Sequence, residues 1–306
     1  MARGPFSGVL APVATPFTPD LDIDIARFTA FARDLLDAGC HGLVPFGTTG
    51  EGPSLSEDER RRLLTALGEA GIPGERLMVG VGGCSLPETV QRTRDALAAG
   101  AAGVLLLPPF FFKKIDDDGL AAYVDAFIAR VNDPRLKIYL YHIPSHAGVG
   151  WSPPLVERLA QAHPDTVVGL KDSGGEFAYT RDVLARLPDF GAFVGTERQL
   201  GDVLDAGGVG TITTTANTNA AALRRAFDHW RGTHGQALMD AVGAYRRATE
   251  GFPTVPGIKA LIARDRGDPE WARVRPPLSP LTSEEHTRLL KGVDELAALA
   301  PAPKPE

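Results

Sequence analysis

Short apolar runs alternate with longer amphipathic stretches along most of this chain. Eight runs read as strands: Gly8–Val13, Gly42–Phe46, Leu77–Val81, Gly103–Leu107, Lys137–Tyr141, Val167–Lys171, Ala192–Gly195 and Gly210–Thr214. They are short and largely apolar, the pattern of strands buried on both faces of a parallel sheet. The intervening stretches carry helical patterning. They predict helices over Ile25–Ala38, from Ser56 to Ala70, and over Pro87–Ala99, Asp117–Val131, Pro153–Ala162 and Glu176–Leu187. Two more follow, one ending at Ala206 and one over Asn219–Trp230. Ser56 with Glu59 is a capping-box signal. Eight strand–helix pairs predict a closed (β/α)8 TIM barrel over residues 1–232, with an open doubly wound sheet as the alternative. From Thr233 the pattern is helical only: Gln236–Glu250, Pro256–Arg264 and Thr282–Leu299, with Pro276, Pro277 and Pro280 marking a loop. Residues 233–306 are therefore expected to form a C-terminal helical extension ending in a frayed PAPKPE segment.

Length supports the barrel reading. At 306 residues the chain could divide into two ordinary domains, but a (β/α)8 barrel fills about 250 residues as one. Net charge of −6 argues against a nucleic-acid partner. The densest basic cluster, Arg60 to Arg62, follows a Glu-Asp-Glu run on a helix and reads as a solvated face. Cys40 and Cys84 form no CxxC motif, a count that fits a reducing compartment. Residues Met1–Phe17 lack an uninterrupted apolar core, so no signal peptide is expected. The most apolar stretch, Ala96–Phe112, is broken by two glycines and Pro108-Pro109, so no membrane span is expected either. Together these predict a cytoplasmic protein.

Function in a barrel sits where strands end. Strand two ends in Gly47-Thr48-Thr49-Gly50-Glu51, strand five in Tyr141-His142-Ile143-Pro144, and strand six in Lys171-Asp172-Ser173-Gly174-Gly175. Of the lysines, only Lys171 closes an apolar strand; Lys137 begins one, and Lys113 and Lys114 lie among loop charges. Desolvation at a barrel mouth lowers a lysine pKa and frees an amine that attacks carbonyls, which implies a Schiff base. A lysine paired with a carboxylate for structural reasons is the competing reading. Tyr141 is either a proton shuttle or a packed ring with a satisfied hydroxyl. The Gly-Thr-Thr-Gly segment offers two hydroxyls, or is a plain turn. Gly80–Gly83 and Gly207–Gly210 match no phosphate-binding motif and read as tight turns. His142 and His146 have metal-ligand spacing, but Pro144 between them argues against a metal site. Phe110, Phe111 and Phe112 belong to the core, the site or an interface.

The ordered set PVATPF, GTTGE, PPFFFK, YHIP and GLKDSGG, with Pro256-Gly257-Ile258-Lys259-Ala260 near the end, resembles the dihydrodipicolinate synthase / N-acetylneuraminate lyase family of pyruvate-dependent class I aldolases. The resemblance covers residues 5 to 295. It implies a cofactor-free enzyme, usually a tetramer of tight dimers, acting on pyruvate and an aldehyde or 2-keto acid. By that resemblance Lys171 forms the imine with pyruvate, and Tyr141 is the general acid/base. Thr48 and Thr49 bind the pyruvate carboxylate and connect Tyr141 to a proton relay, and Gly195 and Ile212 line the pocket.

Three positions bear on the substrate. Where dihydrodipicolinate synthases hold the carboxylate of aspartate semialdehyde with an arginine, this chain has His146, which lacks the bidentate fork. Where those synthases carry a relay tyrosine that reaches the neighbouring subunit, this chain has Phe111. The acidic residues with which sialate lyases contact sugar hydroxyls are matched in part by Thr196-Glu197. A 2-keto acid aldolase is favoured over the true synthase, and the phenylalanines imply a less polar acceptor side. A 2-keto-3-deoxy sugar acid dehydratase, a non-catalytic pyruvate-binding protein and a phosphate-binding barrel are the remaining alternatives.

Overall fold

The structure, a computed structural model, describes residues 4–299, with side chains to residue 296; the PAPKPE segment expected to fray lies outside the described residues. Eight strands form, β1 (Gly8–Ala11), β2 (Gly42–Leu43), β3 (Met78–Gly80), β4 (Gly103–Leu106), β5 (Ile138–His142), β6 (Val167–Asp172), β7 (Gly191–Val194) and β8 (Gly210–Ile212). The helices between them are α1 (Ile25–Asp37), α2 (Glu57–Glu69), α3 (Leu86–Ala98), α4 (Asp117–Val131), α5 (Pro144–Ala147), α6 (Pro153–Ala162), α7 (Phe177–Arg186), α8 (Leu200–Asp205) and α9 (Ala216–Asp228). Three more follow β8 and α9: α10 (Gly235–Thr249), α11 (Thr254–Arg266) and α12 (Ser283–Leu299).

All strand pairs are parallel, in the order β2-β1-β8-β7-β6-β5-β4-β3. A parallel bridge between Leu43 and Leu77 joins the two ends of that order. The ring therefore closes, and the open-sheet alternative fails. The strands are buried along almost their whole length, as their continuous apolar patterning requires.

The core has two parts. A shell cluster fills the space between strands and helices. A smaller cluster fills the barrel interior, with Leu10, Val44, Met78, Leu105, Tyr139 and Phe193 among its members. Tyr139 is fully buried low in the barrel, packs edge-on against Phe6 and Phe193, and takes the Phe6 amide hydrogen on its hydroxyl at 3.3 Å. The ring has room because its neighbour on β6 is Gly169, where a Cβ would come within 2.5 Å of it. Burial pushes the Tyr139 hydroxyl pKa up. It fills the interior beneath the mouth.

The pattern located the elements well, and its errors have local causes. The Ser56–Glu59 capping box forms, and α4 and α6 have the predicted limits. Strand β2 is regular for only two residues; Val44 still donates to the Ala11 carbonyl at 2.7 Å and Pro45 accepts from the Gly80 amide at 3.0 Å, and Phe46, with left-handed backbone angles, then turns the chain out of the sheet. Helix α5 was not foreseen: with four residues it is too short for periodicity, although Pro144 opens it and Gly148 closes it left-handed. The solvated-face reading of Arg60 to Arg62 holds for Arg61 and Arg62, which are exposed, and fails for Arg60. Arg60 is buried; it donates to the carbonyls of Gly52, at 3.3 Å, and Gly80, and lies over the Phe46 ring. Burial lowers its pKa to about 9. The helix face that carries it points at the loops after β2 and β3, not at water.

The last three helices pack on the barrel rather than apart from it. Helix α11 buries Val255 through Ala263 and contacts α9, while α10 contacts α9 and the turn after β7. Lys259 of α11, fully buried, donates to Glu51, also fully buried, and to the Arg273 carbonyl at 2.6 Å. Arg275 donates its amide to the same Glu51 at 3.0 Å and pairs with Glu59. Among the described residues no helix is long and apolar enough to cross a membrane.

Candidate active site

The register of β5 against β6 sets Tyr141 beside Lys171 at the upper end of both strands. The Lys171 amine lies 3.4 Å from the Tyr141 hydroxyl and 4.4 Å from the centre of its ring. Both residues are only 5% exposed. Among the described residues Lys171 forms no ion pair, so the structural-pairing reading fits Lys259 and not Lys171. The Thr48 hydroxyl stands 3.2 Å from the Tyr141 hydroxyl, which makes a line of three groups: amine, phenol, alcohol. Within this chain the line ends at Thr48. The Thr49 hydroxyl turns to Thr214 at 2.9 Å.

The turn carrying both threonines is pinned from several sides. Thr15 donates to the Gly50 carbonyl at 2.7 Å, and the Gly52 amide donates to the Gly47 carbonyl at 3.1 Å. A Cβ at Gly52 would lie 2.0 Å from the Phe46 carbonyl oxygen, so only glycine fits there. Glu51, held by Lys259 and Arg275, fixes the left-handed residue that follows the turn. The segment read as either hydroxyls or a plain turn is a turn that presents Thr48 to the phenol.

Behind Tyr141 a second set of contacts fixes its strand end. The Trp151 indole donates to the Tyr141 carbonyl at 3.2 Å, and the Tyr179 hydroxyl donates to the Trp151 carbonyl at 2.7 Å. His142 stacks on Tyr179 at 3.9 Å and accepts the Trp151 amide on Nδ1 at 3.2 Å. Burial lowers the His142 pKa, opposed by the nearby Asp172 carboxylate. His142 is thus a packing residue, and among the described residues no three His, Cys, Asp or Glu side chains converge as a metal site. Asp172, next to Lys171, turns its carboxylate away to the Gly174 amide and the Thr180 hydroxyl.

Above Lys171 opens a cleft of about 520 Å³. Of the residues singled out from sequence, it gathers Lys171, Tyr141, Thr48, Thr49, Gly195, Thr196, Ile212 and His146. Gly195 donates its amide to the Asp172 carbonyl at 2.6 Å, and a Cβ there would strike Ser173. Thr196 caps the following turn by accepting the Arg198 amide at 3.4 Å. His146 is exposed on α5, its Nδ1 3.1 Å from the Ser145 hydroxyl.

Two residues stand apart. Phe111 is 72% exposed, stacks edge-on against Phe112, and does not line this chain's own cleft. Glu197 is buried, and its carboxylate is taken by the hydroxyls of Thr213, at 2.6 Å, and Thr215. It does not line the cleft, so the partial match to a sugar-binding acid fails. The less polar acceptor side also fails for this chain's own wall. Apart from Ile143, Ile212 and its glycines, the cleft is lined by polar and charged side chains. Sequence reasoning missed the outer part of that wall: Arg198 and Gln199 after β7, Asp202 on α8, and Arg246 and Glu250 at the end of α10. The glycine turns are not part of the cleft over Lys171: Gly207–Gly210 lead into β8 at its lower end, and Gly80, Gly82 and Gly83 line a neighbouring cavity that shares Thr48 and Tyr141 with the cleft and is also lined by Phe110.

Comparison with known proteins gives one family. The sequence model of the dihydrodipicolinate synthetase family matches residues 5–296. The chain is 35% identical to a 4-hydroxy-tetrahydrodipicolinate synthase of Salinibacter ruber over 304 residues, covering 95% of this chain and 96% of that one. It is 32% identical to an uncharacterised DapA-like lyase of Chloroflexus aurantiacus over 297 residues, covering 95% and 97%. The crystal structure of dihydrodipicolinate synthase from Agrobacterium tumefaciens superposes with a TM-score of 0.89 at 33% identity, over 95% of this chain and 99% of that one.

Proposed function

The chain belongs to the dihydrodipicolinate synthetase family, and from that premise we propose that it is a Schiff-base lyase that makes or breaks a carbon–carbon bond between pyruvate and an aldehyde. The single observation that carries this reading is the Lys171–Tyr141–Thr48 line in a buried mouth, with no carboxylate paired to the amine among the described residues.

The steps follow from the geometry. The Lys171 amine adds to C2 of pyruvate, and the carbinolamine loses water to give a protonated imine. Tyr141, in reach of the amine, delivers and recovers the protons of that addition and loss. The imine draws electrons from the methyl carbon, which gives up a proton and becomes the enamine carbon. That carbon attacks the aldehyde carbonyl, whose oxygen takes a proton. Water then hydrolyses the new imine, releasing the product and the free lysine. The reverse sequence cleaves a 2-keto acid. Thr49 and the turn that carries it face the pyruvate carboxylate, with Gly195 and Ile212 as walls.

Two features favour a 2-keto acid aldolase over the true synthase. His146 offers no bidentate fork for the aspartate semialdehyde carboxylate, and the relay within this chain ends at Thr48. Phe111, exposed and off the cleft, is assigned to an interface between subunits of a homo-oligomer, where it supplies packing and no proton. Borohydride trapping with pyruvate, read by intact mass and peptide mapping, tests the mechanism. A single reduced adduct on Lys171 is expected. No adduct in the folded protein removes the aldolase reading in favour of simple binding. High turnover with aspartate semialdehyde, unimproved by His146→Arg, would restore the synthase.

A further inference from the structure

Glu197 is 1% exposed, does not line the cleft and makes no ion pair among the described residues. A carboxylate buried without a counter-charge is costly unless hydrogen bonds hold it. Two hydroxyls span this one: Thr213 donates to Oε2 at 2.6 Å, and Thr215 donates to Oε1. The two hydroxyls are themselves 3.2 Å apart. Each carries a single hydrogen and a carboxylate only accepts, so both hydrogens are committed to Glu197.

This clamp lies where the sheet no longer holds its strand ends together. The β7–β8 ladder runs through Phe193–Gly210 and Val194–Thr211, and the Thr211 hydroxyl adds a bond to the Val194 carbonyl at 2.9 Å. Beyond that rung come Gly195 on one strand end, and Ile212 and Thr214 on the other, all lining the cleft. Glu197 stands two residues after Gly195, and the hydroxyls it takes flank Thr214 on either side. Asn217 holds the same segment from the β1 side, donating to the carbonyls of Thr214 at 2.8 Å and Pro12 at 3.0 Å. Thr214 in turn meets the Thr49 hydroxyl at 2.9 Å. For Thr49 to give its one hydrogen to a pyruvate carboxylate, it must accept from Thr214.

We propose that Glu197 is a positioning residue for pyruvate: from behind the wall it ties the end of β8 to the end of β7 and aims Thr214, which turns the Thr49 hydroxyl toward the keto acid carboxylate. The inference rests on the pyruvate-imine reading and adds to it the residue that shapes the pyruvate end of the pocket. An acid whose place in the sequence suggested contact with acceptor hydroxyls acts instead on the keto acid, without touching it.

The test needs only pyruvate and borohydride. The initial rate of reductive trapping by the full-length protein is followed against pyruvate concentration, with the melting temperature read in parallel. In Glu197→Gln one carboxylate oxygen becomes an N–H donor, so one of the two hydroxyls loses its acceptor. Half-saturating pyruvate is expected to rise about 3- to 10-fold, with the plateau rate little changed. Thr214→Val removes the donor to Thr49 and should raise it by a similar factor. The double variant is expected to match Thr214→Val, because both changes act through one hydroxyl. Should the glutamine variant not fold, Glu197→Asp, whose shorter arm cannot span both hydroxyls, carries the same measurement. A lower melting temperature with unchanged half-saturation makes Glu197 a purely structural acid and overturns the proposal. Single effects that multiply in the double variant overturn it too. No adduct in the wild type at any pyruvate concentration sinks the pyruvate reading itself, whereas an adduct whose pyruvate dependence ignores Glu197 sinks the positioning role alone.

Discussion

Lys171 and Lys259 are both buried, both lie 4.4 Å from an aromatic ring centre, and both sit in segments that carry the family resemblance. They differ in what faces the amine. Lys259 meets the Glu51 carboxylate and a backbone carbonyl. Burial lowers its pKa to about 8, with Glu51 opposing. Lys171 meets a phenol that can itself give and take a proton. Burial alone therefore does not mark a nucleophile. A fixed anion turns a buried lysine into a strut, and an exchangeable hydroxyl leaves it free to react.

Substitutions at the two sites should separate these roles. The largest effect is expected at Lys171→Ala: no borohydride adduct and activity down by more than about 10⁴-fold, with the melting temperature little changed. An adduct elsewhere would make the comparison wrong at its root. Lys259→Met leaves Glu51 buried without a counter-charge and should cost about 3–5 kcal/mol in denaturant unfolding. The double variant Lys259→Met/Glu51→Leu should recover much of that loss, since both charges are gone. If the single variant instead loses activity at full stability, Lys259 is no strut. Thr48→Val should be milder, slowing turnover about 10- to 100-fold without abolishing the adduct, because only the outer member of the proton line is removed.

The smallest effect is in pH. Burial lowers the pKa of His41 and His142, and each accepts a backbone amide on Nδ1, from Val9 and Trp151. A base whose folded pKa is depressed favours folding while it stays neutral. That stability is complete above the unfolded value of about 6.5 and declines as pH falls below it. Urea midpoints should drop from pH 7 to pH 5.5, and His142→Gln should flatten part of the slope.

The barrel was legible because each strand–helix unit states its own period, and Lys171 and Tyr141 were legible because a strand end is a position that sequence reveals. What stayed hidden depends on contacts between distant segments. Arg60 looks as solvated as its exposed neighbours Arg61 and Arg62 until the loops after β2 and β3 supply carbonyls for it. Glu51 and Lys259 are 208 residues apart, and no local pattern pairs them. Arg246 lies in the last turn of a helix, where a basic residue needs no other reason. Its place in the cleft wall follows from how α10 packs on the turn after β7.

The Glu51–Lys259 contact also has a consequence in time. A ribosome releases the Thr48–Thr49 turn long before it has made the residue that secures it. Until α11 emerges, a barrel that closed early would enclose a carboxylate with nothing to oppose it, so native closure is deferred to the end of translation. A chain cut short before Lys259 would be a substrate for proteolysis rather than a feebler catalyst.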